Sequence, residues 1–262
     1  MATSNPVPRE DRATPLRNAV GMDDAGPVDH RRPVWAADAD AIGRTFSAGG
    51  AVHVRGALDP RLIADVHAEA DAVFRDWSEL AAADRLPAEL EAPLTRRYIP
   101  LARLPVVADR LNVLLHPSFL ALARTYLGKE PEMEPNSHVR SIVPERADAH
   151  LPFHQDQTIL KRKLLNIWIP LDPCGRDAPG LEIVWGSWRE LLQPAPAEDA
   201  QFPVERARLD HATVVGRYGE DACWRPEFRV GEAMVFAGAT VHRTYVTQSM
   251  TADRMSAEIR LI

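Results

Sequence analysis

The spacing of apolar residues changes about halfway along the chain. In the first half, apolar residues recur at helical spacing, and the runs are separated by residues that begin or end helices. The predicted elements of this half are a helix over 37–47 stopped by Gly49-Gly50, a strand over 51–55, a long helix opened by the N-cap Asp59 and Pro60, and helices over 106–115 and 117–127, the last ended by Gly128.

From about Pro131 onward, the pattern consists of short apolar runs separated by turn residues, which favours strands. The predicted strands lie within 164–172, 180–184, 233–242 and 257–262. Helices followed by strands indicate a mainly β protein, in which flanking helices support an antiparallel core. Residues 1–33 are polar and rich in proline, and we expect a flexible arm there. We expect a single domain over 34–262, with a helical cap region over 34–129 and the β core over 130–262.

Composition limits the classes of function. The chain has 262 residues, a net charge of -6 and a pI near 5.9, so nothing indicates a nucleic-acid partner. It contains no apolar run long enough for a membrane span, and its first residues lack the pattern of a signal peptide. The two cysteines do not form a disulfide framework, so we expect a reducing, cytoplasmic compartment.

The candidate chemistry centres on His154-Gln155-Asp156, with a second histidine at His242. On an extended strand, residues i and i+2 point to the same face, so His154 and Asp156 can reach one metal ion. His242 would reach the same ion from another strand. Two histidines and one carboxylate suit Fe(II) and leave coordination positions open, while three ligands plus water also describe a catalytic zinc site.

The surrounding sequence resembles the phytanoyl-CoA dioxygenase family of Fe(II)/2-oxoglutarate-dependent oxygenases. The resemblance covers roughly residues 130–262. It rests on His-Gln-Asp, an aliphatic strand with Trp168 ahead of Leu171-Asp172, a Gly-x-Leu segment at Gly180, and the late pair of His242 and Arg254. There are two departures. Trp185-Gly186-Ser187-Trp188 stands where the family usually has Pro-Gly-Ser-His, and the spacing from His242 to Arg254 is one residue longer than expected.

The resemblance implies a double-stranded β-helix, or jelly roll, and assigns roles to residues. His154, Asp156 and His242 become the iron ligands and catalytic centre. Arg254 becomes the partner of the distal carboxylate of 2-oxoglutarate, because a guanidinium binds a carboxylate with two parallel hydrogen bonds. Arg260 is the fallback for that role, with a structural role favoured. Further candidates for the co-substrate site are Thr244, Trp168, Gln155 and Asn166, although Trp168 and Asn166 also suit ordinary core positions.

For the substrate, the candidates are Arg97, Arg140, Trp188 and Lys161, each weighed against an ordinary structural or solvated role. His138 and His150 are taken as non-ligands. The family chemistry implies that a small molecule is hydroxylated at an unactivated C–H bond, with O2 consumed and succinate and CO2 released. Because Asp156 is present, the halide position of related halogenases is closed. A non-catalytic 2-oxoglutarate or iron sensor and a zinc hydrolase are the alternatives.

Overall fold

The computed structural model describes residues 29, 31–105, 114–196, 200 and 202–262. The expected arm over 1–33 and the expected helix over 106–115 therefore lie almost wholly outside the described residues. The division into cap region and β core stays a prediction.

The described helices begin and end largely where the sequence signals stand. They are α1 Ala39–Gly49, α2 Pro60–Ala82, α3 Ala88–Thr95, α4 Pro117–Leu127, α5 Asp156–Leu160, α6 Pro203–Arg206 and α7 His211–Tyr218. Asp59 caps α2 by accepting the Arg61 N–H at 2.9 Å. Gly50 and Gly128 end α1 and α4 at φ 75° and 76°, where a side chain would be strained. Among these helices, none has both the length and the apolar character that crossing a membrane requires.

The strands form two sheets. They are β1 Val34–Trp35, β2 Ala51–Arg55, β3 Tyr98–Pro100, β4 His138–Ile142, β5 Leu165–Pro170, β6 Gly180–Val184, β7 Cys223–Trp224, β8 Ala233–Ala237, β9 His242–Tyr245 and β10 Arg254–Leu261. The large sheet has the order β1-β2-β8-β5-β10-β4-β3, and the small sheet has the order β7-β6-β9. All pairs are antiparallel except β1 with β2.

Alternation along the strands divides the core in two. Ile167 of β5 and Val235 of β8 belong to the main apolar cluster, which also contains helix residues such as Ile63. Their neighbours Trp168 and Phe236 turn to the other face and join a second cluster with residues of the small sheet. The space between the two sheets is therefore enclosed on both sides, and the predicted jelly roll with flanking helices is confirmed.

Three local predictions were wrong. The His154–Asp156 segment is not a strand: His154 forms an isolated bridge, and Asp156 is the first residue of α5. The run over 233–242 is not one strand, because a turn at Gly238–Thr240 sends β8 into the large sheet and β9 into the small one. The region after β6 contains the helices α6 and α7, although the general pattern from Pro131 onward favoured strands separated by turns.

Candidate metal centre and active site

The structure brings His154, Asp156 and His242 together between the two sheets. All three are buried, and one ligand atom from each lies within 4.8 Å of the others. The His154 N–H donates to the His242 carbonyl at 3.0 Å, and the His242 N–H donates back at 3.1 Å. This pair of backbone bonds fixes the separation of the two imidazoles, whose ring centroids lie 4.2 Å apart.

Asp156 reaches the same point because the backbone of Gln155 is extended, at φ -127° and ψ 119°. One extended residue places its two neighbours on the same side, so the predicted juxtaposition occurs without a regular strand. The Gln155 side chain points the other way. Its Nε2 donates to the carbonyls of Glu190 and Ala239, and its Oε1 accepts the Leu192 N–H. These three bonds anchor the segment that carries the ligands.

Both imidazoles are oriented for metal binding. His154 Nδ1 lies 2.7 Å from the Pro152 carbonyl, and His242 Nδ1 lies 2.9 Å from the Thr240 carbonyl. A carbonyl can only accept, so each Nδ1 carries the hydrogen and each Nε2 presents a lone pair toward Asp156, at 3.7 and 3.9 Å from its oxygens. Burial lowers the pKa of His154 to about 4, so its ring is neutral near pH 7.

The carboxylate of Asp156 is held ionised. Burial opposes its charge, but Arg260 above all, together with the neighbouring His242 and His154, lowers its pKa to about 2. Arg260 Nε lies 3.4 Å from Asp156 Oδ2. Two imidazoles that present Nε2 and one carboxylate on a common point form the donor set that suits Fe(II). The residues present therefore fit an iron ion.

A narrow pocket between the two sheets contains all three residues of the triad and is lined by β4, β5, β8 and β10 of the large sheet and by β6 and β9 of the small one. Four of the five proposed co-substrate residues line it: Arg254, Thr244, Trp168 and Asn166. Arg254 is 2 % exposed, its guanidinium lies 5.1 Å from the centre of the Trp168 ring, and it donates to the Pro179 carbonyl at 3.0 Å and to the Ser256 hydroxyl. Within the described part of the chain, no carboxylate forms an ion pair with it.

This pocket suits a dicarboxylate chemically. Burial without a carboxylate partner lowers the pKa of Arg254, and the Nδ2 of buried Asn166 has no hydrogen-bond partner among the described residues. Both are donors that an anionic ligand would satisfy. The free volume is only about 20 Å³, close to the space of one water, so 2-oxoglutarate can enter only if the surrounding side chains move outward.

A wider cavity of about 500 Å³ opens on the other side of the triad. His154, Asp156, Arg140 and Leu151 line both the narrow pocket and this cavity. Its polar lining comes from the segment 136–138, from Arg140 of β4 and from Arg260 of β10. Its outer wall is largely apolar, with Ile159 and Leu160 of α5 and residues of the α6 segment. The metal centre thus lies where the two spaces meet.

Three of the four substrate candidates line neither space. Arg97 donates to the Ser141 hydroxyl at 2.7 Å, and its guanidinium lies over the Phe74 ring. Lys161 is exposed at the end of α5. Of the four candidates, Arg140 is the one that lines these two spaces. The substrate roles of all four residues stay predictions.

Trp188 lines a separate cavity of about 700 Å³ that contains none of the triad. Its ring packs near Phe46 and Tyr126, at 5.8 and 6.2 Å between centroids, and it covers Gly50 so closely that a Cβ there would overlap the indole. Trp185 covers Gly49 in the same way. Gly49 and Gly50 at the end of α1 therefore leave room for the two indoles of the segment that stands in place of Pro-Gly-Ser-His.

Sequence reasoning missed Glu258 and the role of His138. Glu258 Oε2 lies 3.1 Å from His138 Nε2 and 3.3 Å from Arg260, and its Oε1 lies 3.5 Å from Arg140 Nε. Burial opposes the charge of Glu258, but these partners place its pKa well below the usual value. A signal existed, because residues 254, 256, 258 and 260 are polar while 255, 257, 259 and 261 are apolar. That alternation puts a polar face of β10 inside the jelly roll.

Fold and site together define a jelly-roll protein with a buried centre of two histidines and one carboxylate. The family model described as Phytanoyl-CoA dioxygenase (PhyH) matches residues 46–255, and the protein belongs to this family. The match includes all three triad residues and Arg254. A search of curated proteins finds no significantly similar relative.

Solved structures with the same fold include proteins of low sequence identity. AviO1 from Streptomyces viridochromogenes Tue57 is 18% identical with a TM-score of 0.57, over 86% of this chain and 94% of that chain. The epimerase SnoN, in complex with Fe3+, alpha ketoglutarate and nogalamycin RO, is 22% identical with a TM-score of 0.56, over 86% and 84%. EvdO2 from Micromonospora carbonacea var. aurantiaca, complexed with 2-oxoglutarate, is 18% identical with a TM-score of 0.56, over 90% and 91%.

Proposed function

We propose that the protein is a non-haem Fe(II)/2-oxoglutarate-dependent dioxygenase that hydroxylates an unactivated C–H bond of a small molecule. Membership of the family and the buried triad support an oxygenase in general. The complexes of two structural neighbours with 2-oxoglutarate, one of them also with Fe3+ and nogalamycin RO, support the cofactors and a substrate of the natural-product kind.

The observation that carries the proposal is the position of the triad between two spaces of different character. The narrow pocket holds a buried arginine, Arg254, which has no carboxylate partner in the described part of the chain. The wide cavity has room for a small organic molecule and contacts the same His154 and Asp156. An enzyme that brings a co-substrate acid and a second substrate to one metal ion needs this arrangement.

Each residue then has a defined task. His154, Asp156 and His242 hold the iron and leave its remaining positions open. Arg254 binds the distal carboxylate of the co-substrate, with Thr244, Asn166 and Trp168 lining the same pocket. Gln155 is a positioning residue, because its side chain is fully engaged with the backbone of two loops. Fe(II) with 2-oxoglutarate supplies the oxidising chemistry that uses O2 and yields succinate and CO2.

Succinate release tests this proposal. Purified protein with Fe(II), ascorbate and 2-oxoglutarate is screened in air against amino acids, natural-product intermediates and acyl thioesters. We expect slow succinate formation without substrate and a marked stimulation by one class, with a product heavier by one oxygen atom. Absence of succinate under all conditions, despite bound iron and 2-oxoglutarate, would support the non-catalytic sensor instead.

A further inference from the structure

The wall that the wide cavity shares with the narrow pocket carries several charged side chains. The guanidinium groups of Arg254 and Arg260 are buried, and the side chain of Arg140 is 12% exposed. The carboxylates of Asp156 and Glu258 lie among them. A third carboxylate, that of the buried Glu134, is close to Arg260, because the Glu134 N–H donates to the Arg260 carbonyl at 2.8 Å. The opposite charges therefore balance, and the ligand of the cavity is defined by hydrogen-bond donors and not by an excess of charge.

One donor of this wall is unused. Arg140 Nε is buried and makes no hydrogen bond to any described residue. A buried donor without an acceptor is costly, and such a position favours a ligand that accepts a hydrogen bond from it.

Arg140 is the guanidinium of this wall whose donors are least engaged. Arg254 is placed for the co-substrate, and Arg260 contacts both Asp156 and Glu258. Arg140 donates to the Arg96 carbonyl at 3.3 Å and approaches His138 at 3.1 Å, both uncharged partners. Its Nε lies 3.5 Å from Glu258 but makes no hydrogen bond, because the geometry is wrong for one. The side chain lines both the narrow pocket and the wide cavity.

The rest of the cavity completes the description of the ligand. Opposite the polar wall lie Ile159, Leu160, Phe202, Pro203 and Val204, which offer an apolar surface. We infer that the substrate of this enzyme is a small amphipathic acid, whose carboxylate is bound by Arg140 while its apolar part lies against α5 and the α6 segment. This inference rests on the proposed oxygenase function and specifies its substrate class.

The test uses matched fluorinated probes: arylacetic acids and the corresponding arylacetamides, which differ in charge but hardly in size. Their binding to the full-length protein is followed by fluorine NMR, with and without Mn(II) and 2-oxoglutarate, so that line broadening by Mn(II) identifies probes close to the triad. The variants are Arg140→Gln, Arg140→Lys and, as a matched control outside both spaces, Arg97→Gln. Thermal unfolding of each variant is recorded first.

We expect wild type and Arg97→Gln to bind the acids on the order of tenfold more tightly than the amides, and Arg140→Gln to lose this preference. Arg140→Lys should keep only part of it, because lysine retains the charge but lacks the two-pronged geometry. If Arg140→Gln unfolds because Glu258 loses a partner, the double variant Arg140→Gln/Glu258→Gln removes both charges and is measured in place of the single variant. If the double variant also unfolds, the acid preference of Arg140→Lys decides between the outcomes.

The inference is overturned if wild type shows no preference for acids, including the case in which no probe binds, or if the preference survives intact in the variants at Arg140. It is also overturned if Arg140→Gln weakens only 2-oxoglutarate binding, which would assign Arg140 to the co-substrate. The charge-transfer band of Fe(II) with 2-oxoglutarate is measured on the same samples. A normal band in a protein without acid preference contradicts only the inferred substrate class. A wild-type protein without the band contradicts the proposed oxygenase function.

Discussion

His154 and His242 exchange a pair of backbone hydrogen bonds of 3.0 and 3.1 Å, which join the segment before α5 to the start of β9. Because each imidazole is also fixed through Nδ1 by a backbone carbonyl, both Nε2 atoms keep their direction in the absence of metal. The centre is therefore preorganised by the main chain. Substitution of a ligand should remove metal binding without unfolding the protein.

Asp156→Ala tests the ligand set. The change removes one of three ligands, so we expect Fe(II) affinity to fall by at least about a hundredfold, more than is usual for loss of a residue behind the ligands. Circular dichroism should show a retained fold. Anaerobic Fe(II) titration gives the affinity, and Asp148→Ala, at an exposed carboxylate paired with Arg146, serves as control. Unchanged iron binding in Asp156→Ala would exclude this residue from the metal centre.

Arg254→Leu tests the co-substrate site. Loss of the two-pronged partner of a buried carboxylate weakens binding by on the order of 2 to 5 kcal/mol. The affinity for 2-oxoglutarate should therefore fall roughly tens to thousands-fold. Arg260→Leu should behave differently, because Arg260 contacts Asp156: Fe(II) affinity should fall while 2-oxoglutarate affinity changes little. Equilibrium binding of each ligand separates the two effects. The reverse pattern would exchange the roles of the two arginines.

Gln155→Leu tests the anchoring of the ligand segment. The variant loses three hydrogen bonds and leaves buried backbone groups unpaired, so we expect a loss of about 1 to 3 kcal/mol in the free energy of unfolding. Fe(II) affinity should fall about tenfold, since His154 and Asp156 flank this residue. Gln157→Leu is the control, because the Gln157 side chain makes no hydrogen bond within the described residues. If both variants behave alike, Gln155 has no positioning role.

Trp188→Ala distinguishes packing from substrate binding. The indole fills space beside Phe46, Tyr126 and Gly50, so its removal should lower the free energy of unfolding by about 3 kcal/mol. Iron and 2-oxoglutarate binding by the folded variant, and the ratio of product to succinate, should stay unchanged. Trp35→Ala, at a tryptophan that is 66% exposed, is the control for stability. A selective loss of product relative to succinate in Trp188→Ala would restore a substrate role.

The sequence was most informative where function depends on local spacing. One extended residue between His154 and Asp156 is enough to put both ligands on one side, so the motif predicted their juxtaposition even though the segment is not a strand. Helix ends were predictable at Asp59 and Gly128, because capping depends on the residue itself.

Sequence reasoning was least informative about which sheet a strand joins and where a side chain points. The turn at Gly238–Thr240 sends two halves of one apolar run to different sheets, which only the pairing partners decide. Their positions in the sequence suggested Arg97 and Trp188 as site residues, but Arg97 bonds to Ser141 and Trp188 packs against Gly50. Glu258 was overlooked because its role depends on partners from β4, far away in sequence.

The most direct test of the account is an anaerobic titration of the metal-free protein with Fe(II) and 2-oxoglutarate, followed by visible absorption. For the wild-type protein we predict a weak metal-to-ligand charge-transfer band that needs both Fe(II) and 2-oxoglutarate and saturates at one equivalent of iron. The band should be absent from Asp156→Ala, and in Arg254→Leu it should form only at a much higher concentration of 2-oxoglutarate. No band in the wild-type protein, or the same band in Asp156→Ala, would contradict the assignment of this centre as an Fe(II)/2-oxoglutarate site.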